Sequence, residues 1–98
     1  MVLEIAQLTI KTGQEEAFKA AFAQAALLIR DSAGCNGLDL RRSIEHPNRF
    51  LLLIQWDSVK SQEKGAAASP PADDVGALLG PFFDGPPFVE HSESVLTA

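Results

Sequence analysis

The chain has 98 residues, enough for one domain with one core, and its formal charge of −5, with acids spread from Glu4 to Glu93, argues against nucleic acid and anionic membranes as partners. The single cysteine, Cys35, cannot close an internal bridge, and the residues after Met1 lack the basic and apolar regions of an export signal, so a cytoplasmic protein is expected. No stretch approaches the ~20 apolar residues of a membrane span, because Gln55, Asp57 and Lys60 close the most apolar segment early.

Residues 2–10 predict a first strand, with Leu3 and Ile5 on one parity and Val2, Ala6, Leu8 and Ile10 on the other. Thr12 stands three residues before Glu15, the spacing of a capping box, and Glu15 and Glu16 put negative charge where a helix dipole favours it. Phe18, Phe22, Ala25 and Ile29 then form one apolar stripe of the expected helix, which Gly34 is placed to stop. A second strand is expected over residues 37–45, and His46-Pro47-Asn48-Arg49 has the composition of a tight turn into the third. With Pro47 and Asn48 as the two loop residues, Leu40, Arg42 and Ile44 would share a face with Gln55, Leu53 and Leu51. Asp39, Arg41 and Ser43 would share the other with Trp56, Ile54 and Leu52, and a one-residue change in loop length exchanges the sets.

Past Asp57 the order weakens. Residues 58–65 predict a short helix, the alanine-rich stretch 65–71 predicts mobility ending at two prolines, and residues 73–79 predict another helical segment stopped by Gly80 and Pro81. Residues 88–96 read as a last strand whose polarity suits an edge. The order strand, helix, strand, strand, helix, strand is that of a single α+β domain over residues 1–98, a ferredoxin-like split β-α-β fold with a four-stranded antiparallel sheet and helices on one face. The run Phe50-Leu51-Leu52-Leu53-Ile54 is apolar on both parities, while one layer of helix covers one face. The other face then calls for a partner, most economically a second copy of the chain.

Chemistry is sparse. Cys35 is alone and His46 and His91 are far apart, so no metal is expected, and the glycines lack the spacing of a phosphate loop, so no nucleotide cofactor is expected either. Cys35 reads as a buried inert thiol and His46 as a solvated turn residue. His91, inside the last strand, is either a proton shuttle for a phenol or enol or an imidazole satisfied within the fold. Trp56 either stacks on a flat ligand or packs in the core. Arg41 and Arg42 point to opposite faces, so one is expected to be partly enclosed, against Asp39 or Glu90 or against a ligand oxyanion. Phe82 and Phe83 either line a pocket mouth or plug the core.

The segment Ile10-Lys11-Thr12-Gly13-Gln14-Glu15-Glu16-Ala17-Phe18, the hairpin from Gly37-Leu38-Asp39-Leu40-Arg41-Arg42 through Pro47-Asn48-Arg49-Phe50, Leu53-Ile54-Gln55-Trp56 and the tail from Leu78-Leu79-Gly80-Pro81-Phe82-Phe83 to Glu90-His91 together resemble the antibiotic biosynthesis monooxygenase family. The resemblance implies a dimeric α+β barrel, two ferredoxin-like sheets packed face to face. It also implies activities ranging from cofactor-independent oxygenases that turn polyketide phenols into quinones, through haem breakdown, to small proteins of signal or quinone metabolism. Relatives of the closer type carry a histidine and then a phenylalanine-arginine pair after the tryptophan, where this chain has Gln62, Ala66 and Ala67. The haem-degrading branch fits poorly, since its first-strand asparagine falls near Ala6 and its second-helix tryptophan near Gly65.

The expectation is therefore a homodimeric, cofactor-free monooxygenase-like protein acting on a small aromatic or enolisable substrate of quinol or polyketide type. His91 would assist proton removal, Arg41 would hold the anion, Trp56, Phe22 and Phe83 would enclose the substrate, and Gln62 would be a further contact. The alternative is a non-catalytic ligand-binding or structural dimer of the same fold.

Overall fold

A computed structural model describes residues 1–57 and 70–98. The short helix expected over 58–65, the mobility expected over most of 65–71 and the contact expected from Gln62 lie outside the described residues. The remaining elements run β1 (Val2–Thr9), α1 (Glu15–Arg30), β2 (Cys35–Arg42), β3 (Arg49–Trp56), α2 (Pro70–Leu79), a 3₁₀ turn over Gly80–Phe82, and β4 (Phe88–Ser92). The strands form one antiparallel sheet in the order β2-β3-β1-β4, the ferredoxin-like arrangement. The polar β4 takes an edge, as expected, and ends four residues earlier than the sequence suggested.

One face of the sheet is covered. Glu4, Ala6, Leu8 and Ile10 alternate into it from β1, and Phe50, Leu52, Ile54 and Trp56 from β3. Phe18, Phe22, Ala25 and Ile29 meet them from α1, the four positions that the helical spacing selects. Ring contacts of Phe18 with Phe22 (6.0 Å), Phe50 (5.0 Å) and Phe82 (6.2 Å) fill the end of this core nearest Ile10. There the chain after α2 is tied back: Ile10 bridges Phe83, Lys11 N–H donates to the Phe82 carbonyl, and Asp84 N–H to that of Thr9.

Three local expectations change. Thr12 does not cap α1; Gln14 occupies the N-cap position without a side-chain bond, and the Glu15 carboxylate reaches back to accept from Gly13 N–H at 2.7 Å. Pro70 begins α2 rather than blocking it, since a proline in the first turn gives up a donor that has no helical partner. Between the bonded residues Ser43 and Arg49 the β2–β3 turn holds five residues, Ile44 to Asn48, closed by Ser43 N–H to Arg49 O and Arg49 N–H to His46 O. Its odd length exchanges the two face sets: Leu38, Leu40 and Arg42 stand beside Ile54, Leu52 and Phe50 on the covered face, and Asp39 and Arg41 beside Leu53 and Leu51 on the open one.

Candidate functional site

The distinctive chemistry of the covered face is at the end opposite the phenylalanines. β1, β3 and β4 lie in a register that sets His91, Glu4, Ile54 and Leu38 in one row across the sheet, with Val2, Trp56 and Cys35 in the next. Glu4 is 7% exposed and Trp56 is fully buried. The indole Nε1–H donates to Glu4 Oε1 at 3.0 Å, which satisfies both groups in a dry environment. A bulge between Cys35 and Gly37 shifts the register of β2 at this end, with Gly37 at a positive φ (149°) that favours glycine. Asn36 Nδ2 then donates to Asp57 Oδ1 at 2.7 Å and fixes the chain where β3 ends.

His91 is exposed at the outer edge, directly across from Glu4, and with Val2, Ser92 and Glu93 it borders an open hollow of about 280 Å³. Trp56 and His91 therefore share a face and a corner, with Glu4 between them. Phe22 lies on α1 over the same face and is buried, one turn from the Phe18 cluster. Phe83 does not join them, because its partner Ile10 and Trp56's partner Val2 lie at opposite ends of β1, about 25 Å apart at the usual rise of a strand. Arg41 is separated more completely: it stands on the open face, exposed, its Nη1 paired with Asp39 Oδ2 at 3.3 Å. The expectation that one of Arg41 and Arg42 is enclosed does not hold, as Arg42 is also exposed, its Nε–H donating to Pro47 O and its guanidinium 5.5 Å from the Phe50 ring.

Glu4 is the residue that sequence reasoning passed over. Its signal was its parity: it alternates with Ala6, Leu8 and Ile10, so a carboxylate was due on the buried side of β1. Among the described residues no cluster of three or more histidine, cysteine, aspartate or glutamate side chains could hold a metal ion, and no helix is long and apolar enough to cross a membrane. Cys35 is partly buried, its Sγ 3.8 Å from the Gly37 carbonyl.

A model of the family described as antibiotic biosynthesis monooxygenase matches residues 1–68. The chain belongs to that family. YczJ of Bacillus subtilis strain 168, an uncharacterized protein, is 36% identical over 95 residues that span 97% of this chain and 100% of YczJ. A crystal structure from Bordetella bronchiseptica, provisionally named an antibiotic biosynthesis monooxygenase, superposes with a TM-score of 0.92 at 36% identity and 97% coverage of both chains. SnoaB, a cofactor-independent oxygenase from Streptomyces nogalater, superposes with a TM-score of 0.84 over 98% of this chain and 94% of its own; at 18% identity that likeness concerns the fold alone. The monooxygenase-family fold thus accounts for the sheet order and for the single helical layer.

Proposed function

We propose that this protein is a homodimer that oxidises a small aromatic or enolisable substrate, of quinol or polyketide type, without a metal or flavin. The observation that carries this reading is the corner where Trp56, Glu4 and His91 come together in a member of the monooxygenase family. In this reading His91 takes a proton from a phenol or enol, and the resulting electron-rich carbon reacts with dioxygen. In the overall conversion a ring methylene of the substrate's keto tautomer becomes a carbonyl, one oxygen atom is retained, the other leaves as water, and the substrate supplies all four electrons. Trp56 and Phe22 provide the apolar surround. Arg41 and Phe83 fall outside this corner, and Gln62 stays a candidate contact on the strength of the family resemblance alone.

The dimer is supported by the open face, where Leu3, Ile5, Leu51 and Leu53 are partly exposed and Phe88 is 63% exposed. Oxygen uptake with dihydroxynaphthalene or anthrone tests the activity: turnover that His91→Ala reduces supports it. A second reading, a binding module without turnover, is favoured by the complete burial of Trp56 and the ring-filled core around Phe18. Absence of uptake across a panel of such substrates selects that reading.

A further inference from the structure

The one buried charge among the described residues is Glu4, and the chemistry above gives it no part in the reaction. Its neighbours on the covered face are Ala6 along β1 and Ile54 across it, among which an apolar side chain would pack without the desolvation a carboxylate suffers. The Trp56 indole uses one of about four acceptor positions that a carboxylate offers. Beside it stand His91 and the hollow edged by Val2, Ser92 and Glu93, so a second carboxylate lies at the rim. Of the arginines in the described sheet and at the end of α1, Arg30 pairs with Asp31, Arg41 pairs with Asp39 on the opposite face, Arg42 lies over Phe50 two rows away, and Arg49 stands opposite Thr9 at the far end of the sheet.

We propose that Glu4 sets the specificity of this corner, which takes an uncharged aromatic ring bearing hydroxyl donors and rejects rings that carry a carboxylate or phosphate. A hydroxyl donates to carboxylate or imidazole, whereas an anionic substituent meets like charge from Glu4 and from Glu93 at the rim. The inference rests on the placement of the substrate at this corner, though not on turnover.

Trp56 is the chain's single tryptophan and the chain has no tyrosine, so intrinsic fluorescence reports on the side chain bonded to Glu4. Quenching is titrated under argon with dihydroxynaphthalene and with dihydroxynaphthoate, its carboxylated analogue. The native protein is expected to bind the uncharged ring at least about tenfold more tightly, and Glu4→Gln, which keeps the shape and an acceptor for the indole, to narrow the ratio to less than about threefold. Equal binding of the two rings by the native protein, an undiminished preference in Glu4→Gln, or quenching by neither ring overturns the proposal. Should Glu4→Gln fail to fold, Glu4→Asp decides: it keeps the charge and shortens the reach, so Trp56 emission should shift while the preference persists, and its loss overturns the proposal. Preferential binding with no oxygen uptake in air leaves the role of Glu4 standing and removes the oxygenase reading.

Discussion

Phe50, Leu52, Ile54 and Trp56 are between 0% and 6% exposed, whereas Leu51, Leu53 and Gln55, interleaved with them on the same strand, stay partly or largely open. Two faces of one segment, similarly apolar in sequence, thus meet different surroundings. The covered face is finished within the protomer by α1 and by the chain running through Gly80–Phe82, and its rings are in direct contact. Among the described residues the open face has strand neighbours but no layer above it. A chain of this size can spend its helical material once, so the covered face holds the protomer together and the open face is available to a second copy.

The sharpest test of that contrast is to remove mass from the covered side. Phe50→Ala deletes a 2% exposed ring that touches Phe18 at 5.0 Å, and should cost about 3–5 kcal/mol in urea unfolding. A loss below about 1 kcal/mol would mean that this end is looser than its contacts imply. Trp56→Phe comes next. The ring volume is largely kept, but Glu4 loses its donor in a buried position, and a cost of about 1–3 kcal/mol is expected. Glu4→Leu made in the Trp56→Phe background should then recover part of it, because the orphaned carboxylate is gone; a further loss would show that Glu4 has another favourable partner.

These two tests also mark how far the sequence could be read. The stripe Phe18, Phe22, Ala25, Ile29 was legible because helical spacing refers only to the helix itself. The assignment of β2 residues to faces was not, since it hung on the parity of the hairpin loop, and Pro47-Asn48 looks like a two-residue turn whether or not His46 and Ile44 belong to the loop as well. The grouping of the candidate site residues was hidden in a related way. Arg41, Trp56 and Phe83 are residue types that make a pocket, but their types do not reveal a sheet between the first two or a strand's length between the last two. Glu4 joins Trp56 across 52 positions, a pairing fixed by sheet register and visible in no local pattern.

A smaller effect on the protomer is expected from the open side. Leu53→Lys puts a cation opposite Asp39, so it avoids a like-charge pair and should change protomer stability by no more than about 0.5 kcal/mol at a dilution where copies are apart. At higher concentration the same variant should sediment as one copy, and the native protein is expected to sediment as two. A variant that still pairs would move the interface off this face and leave Leu3, Ile5, Leu51 and Leu53 without a role.

The smallest effect concerns the rim where α1 begins. Glu16 is fully exposed, and its carboxyl is held below the usual carboxylate range first by the hydrogen bond from Lys19, whose ammonium lies 2.9 Å away, next by the charge of Lys19, and more weakly by Arg42 from the covered side of β2; slight desolvation opposes them. A carboxyl whose value is lower in the folded chain binds its proton more weakly there, so its stabilising contribution is present above the unfolded-state value and fades as pH falls through the folded one. Because the group is in open solvent, salt should erase most of that contribution. Carboxyl NMR titration of Lys19→Met should raise the Glu16 midpoint more than Arg42→Met does, while neither variant alters the buried rings. An upward shift larger for Arg42→Met would mean that the sheet, rather than the helix's own first turns, governs this edge, and that the covered face reaches beyond its apolar core.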